Sequence, residues 1–513
     1  MSRSGAAVRQ RGGWPRRRVV GVGLAGVLLT FAVLATLQVF TIHPFHPVDE
    51  MSHVGYALTV GRGDLPTLDT PIPGGEIAQL QHRVNNSKPA NRTIWTAHHP
   101  PLYYVVAAVP LRLGVDSGHA LGGIRAARLV NVGFSLAGLV LVALLARELV
   151  PGRPEVWVGA AGLAALVPGL VQTSAIVYND ALMFAVAAAS LVLVARALRR
   201  GLTPRRLVLL SALGAVAALV RASGLLVVVV AVCAAGTAVW LHERRPAPVR
   251  ALLATGAAGA VGLAAAVAAG WFYLRNQALY GSFTGTAAVL AKFHRGVRGT
   301  IPGALVDPDF WTGQLRRLWD DSAGPSGRNG VTRYWYLTFV PAIGLVLAGI
   351  RWLRRAAPPR APQLLAWAAC LGLAALVELS AASFYSVGGS AHGRYMLPGL
   401  SVLAVAAAVG MAGLPGGRRA VPTIAMLPVL VVVNVMVWQR YLRLTLRPAE
   451  GESVIGTALR SAHVPGWVLV PAAVLLCAGL AAQVWALWTL SARRSRPVPA
   501  ATAVARPLEY AGG

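Results

Sequence analysis

The sequence predicts an all-α, polytopic membrane protein with about 12 transmembrane helices. Three observations carry that prediction. The chain has 513 residues and is 56% hydrophobic, with a mean hydropathy of +0.60. Only 13% of its residues are charged, where a soluble domain holds about a quarter. Apolar runs of roughly 20 residues recur from end to end, the length that crosses about 30 Å of hydrocarbon. The alternating segments of a closed β-barrel are not seen.

Residues 1–18 form a basic N-terminus, with five arginines between Arg9 and Arg18. The apolar run behind it, 19–41, is longer than the core of a cleaved signal peptide and lacks a small-residue cleavage site, so it reads as an uncleaved first span. A polar loop covers 42–124, in which Pro101–Leu113 reads as a helix lying on or dipping into the membrane interface. Six spans follow at 125–147, 156–175, 180–198, 207–220, 224–241 and 251–273. A second loop covers 274–334, and four spans follow at 335–350, 363–383, 395–413 and 421–438. A third loop, 439–466, precedes the last span at 467–490. The transmembrane unit is therefore 19–490, and the Pro- and Ala-rich residues 491–513 are predicted to form a disordered tail.

The formal net charge of +29 invites a nucleic-acid reading. That reading fails, because many basic residues sit in short clusters between apolar runs. With this segmentation the clusters after the even-numbered spans all fall on the side of the basic N-terminus, which is the positive-inside pattern. Both termini are then cytoplasmic, and the three long loops face outward with most of the 18 acidic residues. Arg greatly outnumbers Lys amid abundant Ala, Val, Leu and Gly, a composition of high-GC bacterial genomes. Cys233, Cys370 and Cys477 fall in apolar runs without disulfide or metal spacing and read as buried small hydrophobes.

The densest chemistry lies just past the first span, in His43-Pro44-Phe45-His46-Pro47-Val48-Asp49-Glu50-Met51-Ser52-His53-Val54-Gly55-Tyr56. Pro47 is placed to start a helix. Asp49, His53 and Tyr56 then share one face. The same pattern also describes an interfacial helix with a capping aspartate. In Thr96-Ala97-His98-His99-Pro100-Pro101-Leu102-Tyr103-Tyr104 the prolines stiffen a helix entry, and the tyrosines fit an aromatic belt. His53 and His99 could join Asp49 around a divalent ion, although two separate His segments are a weak metal signal. Asn179-Asp180 sits in a short outer turn, where either residue could cap the next helix. Arg125, Arg128, Arg221, Arg275 and Arg394 lie at outer span ends, suited to gripping phosphate or to snorkelling toward headgroups. Glu378 is an ionisable residue inside a span. Phosphate-loop, zincin, C-x-x-C and nucleophile-elbow motifs are missing, and the sequons at Asn85 and Asn91 read as chance.

These segments, in this order, resemble the GT-C superfamily of membrane glycosyltransferases, which includes protein O-mannosyltransferases and the aminoarabinose transferase of lipid A. The resemblance rests on Pro-Val-Asp49-Glu50-x-x-His53, His99-Pro100-Pro101-Leu102-Tyr103-Tyr104, Asn179-Asp180, Trp271 to Asn276 with Tyr280-Gly281, and Gly393-Arg394-Tyr395-x-x-Pro398. It covers roughly residues 20–440 and implies transfer of a hexosyl or pentosyl group from a polyprenyl-phosphate donor. The acceptor would be an envelope glycan, lipid or protein at the outer face of the cytoplasmic membrane. The resemblance makes Asp49 the base, or a ligand of a metal beside it, with Glu50 as the accompanying catalytic carboxylate. His53, His99, Tyr103 and Asp180 would orient substrate, and Arg275 and Arg394 would hold the departing phosphate. Two other readings fit the same pattern: a transporter or flippase of lipid-linked saccharides, and a noncatalytic envelope-assembly protein. The scarcity of polar or broken spans counts against transport.

Overall fold

A backbone in hydrocarbon must satisfy every N–H and C=O within its own segment, so long apolar runs fold as helices. The computed structural model describes residues 16–45, 49–73, 75, 93–320, 333–354, 361–415, 418–446 and 451–492. Pro47, both sequons, Asp321 and the C-terminal tail lie outside the described residues.

The described chain is almost wholly helical. Among the described residues ten helices are long and apolar enough to cross a membrane, or eleven if the bent pair Pro154–Ala165 and Pro168–Ser174 is one span. The expected count of twelve is therefore not confirmed. The missing candidate is Pro204–Val220, whose 17 residues extend only about 26 Å at 1.5 Å per residue. It nevertheless starts beside His242 and ends beside Asp180, at opposite ends of its neighbours. The 63° bend before Pro168 has a local cause. Proline donates no N–H, and it holds the preceding Val167 extended (ψ 114). Asn434 Nδ2 donates to the freed Leu166 carbonyl at 2.9 Å.

One end of the bundle collects the basic turns. Arg16 donates to the Gly152 carbonyl, Arg351 to Gly413, and Arg196 and Arg200 pair with buried Glu148. The other end carries the long loops. There the helices Asp49–Val60 and Leu102–Asp116 pack on each other and on the start of Ala120–Leu149. Leu102–Asp116 is not among the membrane-crossing candidates. It exposes Val105, Val109 and Leu113, one apolar stripe at helical spacing. That stripe suits the interfacial placement read from the sequence. Among the cysteines only Cys370 is buried. Cys233 and Cys477 stand exposed on the outside of the bundle, because lipid-facing positions are as apolar as core ones.

Candidate functional site

The site begins with a knot that fixes the chain's exit from its first span. Helix Arg16–Thr41 ends with unpaired carbonyls, and Arg128 reaches across from Ala120–Leu149 to take them. Its guanidinium donates to Ile42 at 2.7 Å, Val39 at 3.0 Å and His43 at 3.2 Å. It also forks onto Glu50, Nε to Oε1 at 2.8 Å and Nη2 to Oε2 at 2.6 Å. Glu50 further accepts from the backbone N–H groups of Phe45 and Val177, each at 2.8 Å. Phe45 is held at φ +64, a left-handed conformation that a bulky side chain seldom adopts. Glu50 is 0% exposed and contributes nothing to the neighbouring cavity wall. Its four donors fill its acceptor capacity, so this expected catalytic carboxylate sits where it joins the first span, the first loop and the Asn179 turn.

Its neighbour Asp49 points elsewhere. Asp49 Oδ2 accepts from Arg394 Nη2 at 2.9 Å. Arg394 lies over the rings of Tyr178 (4.9 Å) and Tyr395 (5.6 Å). A second pair, Asp180 with Arg221, joins the start of helix Asp180–Arg200 to the turn before Gly224–His242. Both guanidiniums open onto one cavity of about 500 Å³, within the usual size for a small-molecule site. Asp180 lines it and Asp49 does not.

Three imidazoles, His53, His98 and His99, line the same cavity. His98 and His99 lie 4.0 Å apart and His53 and His99 6.2 Å, centroid to centroid. His53 Nδ1 shares a 2.9 Å hydrogen bond with the Tyr104 hydroxyl. Tyr56 donates to the His99 carbonyl at 2.8 Å. Burial, with the positive field of Arg221, lowers the proton affinity of all three rings, and that of His98 to about 4. The three imidazoles are therefore neutral at physiological pH.

Several wall atoms are buried without a partner among the described residues: Trp95 Nε1, His99 Nδ1, Asn179 Oδ1, Ser223 Oγ and Arg394 Nε. Buried polar groups are normally paired, and each orphan costs about 1–3 kcal/mol.

Other expected residues are placed differently. Arg275 donates to the carbonyls of Pro66 (2.8 Å) and Leu65 (3.3 Å), so it ties the first loop to helix Ala247–Tyr280 and does not line the cavity. Tyr103 is packed in the core at 1% exposure. Glu378 is also off the cavity wall, where Gln314 donates to it at 2.6 Å. The suggested metal set does not assemble. Asp49 is engaged by Arg394, His53 by Tyr104, and the described residues contain no group of three or more His, Cys, Asp or Glu that could hold a metal. Arg221 was visible as one of five outer arginines, but its turn position gave no reason to prefer it. Trp95 carried no signal beyond its place beside the two histidines. A Cβ on Gly393 would overlap the Leu318 backbone, which explains a glycine just before Arg394: helix Pro308–Trp319 lies directly against it.

Comparison with known proteins adds a family and a shape. The family described as "Predicted membrane protein (DUF2142)" matches residues 71–404. No curated protein matches the sequence. Among solved structures the chain is similar to ArnT from Cupriavidus metallidurans bound to undecaprenyl phosphate. The identity is 15% and the TM-score 0.48, over 92% of this chain and 76% of that one. It is also similar to the archaeal oligosaccharyltransferase AglB from Archaeoglobus fulgidus, in complex with an inhibitory peptide and a dolichol-phosphate. There the identity is 14% and the TM-score 0.41, over 94% of this chain and 57% of that one. At these identities they are likenesses of shape, and no residue role is taken from them.

Proposed function

The chain belongs to the DUF2142 family of predicted membrane proteins, and from that premise we propose that it is a glycosyltransferase. It moves a hexosyl or pentosyl group from a polyprenyl-phosphate donor to a hydroxyl of an envelope glycan, lipid or protein. The observation that carries the reading is the cavity lined by two guanidiniums, Arg221 and Arg394, together with three imidazoles and an apolar patch. Two arginines suit a phosphate, because planar donors make bidentate hydrogen bonds to its oxygens. The imidazole, indole, amide and hydroxyl side chains of His53, His98, His99, Trp95, Asn179 and Ser223 on the wall suit a hydroxylated ring. Leu225, Leu226, Val377 and Phe384 add an apolar wall at the ends of membrane helices, where a polyprenyl chain can lie.

The basic turns gather at the opposite end of the bundle, so positive-inside orientation turns the cavity outward from the cytoplasmic membrane. Nucleotide sugars stay in the cytoplasm, whereas a lipid-linked sugar can be carried across. The acceptor oxygen attacks the anomeric carbon, and the bond to the phosphate oxygen breaks with inversion. The charge that develops on the phosphate is met by Arg221 and Arg394. Asp49 and Asp180 hold those guanidiniums in place. Glu50 positions the turn that presents Asp49, and His53 and His99 face the ring hydroxyls. No step is routed through a metal, because the donor set does not form one. A transport reading would look to the bent span, but neither of its helices contributes a residue to the cavity.

The test is consumption of radiolabelled polyprenyl-phosphate sugars by the purified protein in liposomes. The wild type is expected to release the sugar from its lipid. Arg221→Ala with Arg394→Ala is expected to abolish release while the protein stays folded. Equal release by wild type and the double variant sinks the clamp.

A further inference from the structure

Transfer to a hydroxyl needs a group to take its proton, and among the described residues the cavity has no free carboxylate. Asp49 is off the wall and bound by Arg394, and Asp180 is bound by Arg221. Three imidazoles remain, and they differ in one respect. His53 shares its Nδ1 with a hydroxyl that can donate or accept, so its tautomer is not set. His99 Nδ1 has no partner. His98 Nδ1 lies 3.0 Å from the Trp95 carbonyl. A carbonyl only accepts, so the proton must sit on Nδ1, and Nε2 is left as an acceptor on a ring that lines the cavity.

The surroundings hold that ring still. Trp95 lies nearly parallel to it, at 23°, with centroids 6.5 Å apart. Asn276 Nδ2 donates to the His98 carbonyl at 3.0 Å. Gly285, at φ +65, comes so close that a Cβ there would lie 2.8 Å from His98 Cβ. Chain segments from three places in the sequence thus converge on one side chain.

Resting on the glycosyltransferase reading, we propose that His98 is the catalytic proton acceptor, receiving the acceptor hydroxyl's proton at Nε2. As the acceptor oxygen bonds to the anomeric carbon, the bond from that carbon to the lipid phosphate breaks. The electron pair leaves with the phosphate between Arg221 and Arg394. The hydroxyl proton passes to Nε2 and then to water. A neutral base suits this cavity, because it adds no negative charge beside the departing phosphate. Its lowered proton affinity, near that of an ordinary carboxylate, keeps it unprotonated at neutral pH. The groups that bear on it are Arg221 from the Asp180-paired turn and the neighbouring imidazole of His99.

The experiment uses the full chain in liposomes with a polyprenyl-phosphate sugar and measures donor binding, kcat and KM separately. His98→Asn keeps an N–H for the Trp95 carbonyl and removes the base. It is expected to lower kcat about 100-fold or more, the usual contribution of general-base catalysis, with donor affinity within twofold of wild type. In His98→Ala, added imidazole is expected to restore turnover, and the restored rate should follow the unprotonated fraction of the added base. A His98→Asn enzyme with kcat within fivefold of wild type overturns the assignment. So does a His98→Ala enzyme that imidazole does not rescue while its donor affinity is intact. A wild type that binds donor yet never releases its sugar overturns the glycosyltransferase reading itself, and the base assignment with it.

Discussion

Removing Glu50 separates a structural carboxylate from a catalytic one. Glu50→Ala strands the Arg128 guanidinium, itself 1% exposed, and orphans the N–H groups of Phe45 and Val177. Breaking a buried ion pair by deleting one partner costs about 3–5 kcal/mol. Each orphaned backbone donor costs about 1–3 kcal/mol. The terms overlap, and about 4 kcal/mol is the least loss expected, a roughly thousandfold shift in the folding equilibrium. Replacing both partners, Glu50→Met with Arg128→Met, removes the uncompensated charge and leaves mainly the orphaned backbone groups. That double variant should recover about 2 kcal/mol or more over Glu50→Ala. The assay is unfolding in mixed micelles, with donor turnover measured on the same preparations. Refutation would be a Glu50→Ala protein as stable as wild type but inactive, because a stable, dead variant is the mark of a catalytic group.

Three further outcomes are expected. Asp49→Asn loses the ion pair that orients Arg394 and should raise the donor KM about tenfold, the equivalent of ~1.4 kcal/mol, with kcat changed by less than fivefold. A collapse of kcat at constant KM would return the base role to Asp49. Acid should destabilise the protein through the imidazole wall. His98 titrates at about 4 when folded against 6.5 ordinarily, and His53 and His99 shift the same way. Between those values the unfolded chain binds more protons, so stability falls as pH drops below about 6.5, by about 1.4 kcal/mol per pH unit for each imidazole. Stability that holds flat or rises from pH 6.5 to 4 would contradict the buried neutral wall. Finally, single cysteines at Arg205 and at Gly75, placed in a chain whose exposed Cys233 and Cys477 are replaced, should label from opposite sides of the membrane. Labelling from one side would overturn the orientation that turns the cavity outward.

The acidic first loop illustrates what could be read early and what could not. Asp49 and Glu50 are adjacent in sequence and differ little in chemistry, so composition and motif treat them as a pair. Helical geometry separates them by about 100°. One carboxylate enters the Arg128 knot and the other meets Arg394. The sequence marks His53 and His99 as substrate-orienting residues and gives His98, in the same segment as His99, no role of its own. The distinction is a single hydrogen bond from His98 to the Trp95 carbonyl. Arg221 and Arg275 are both basic residues at outer span ends, and the resemblance favours Arg275 for the phosphate. One faces the cavity, and the other is occupied by the carbonyls of Leu65 and Pro66.

By itself, then, the sequence determined the helical class, most span positions, the clustering of basic turns and several of the segments that line the cavity. Those properties follow from local hydropathy and charge, which act over one helix length and survive without knowledge of neighbours. Pro204–Val220 marks the edge of that reach, because hydropathy cannot say whether 17 residues cross a membrane. The tertiary structure alone decided which carboxylate is buried, which arginines share a cavity and which imidazole has a fixed tautomer. These depend on partners as far apart as Asp49 and Arg394, or Glu50 and Val177. Only packing of the spans brings such pairs within a hydrogen bond's length, and the pairing then fixes which side chains remain available to a ligand.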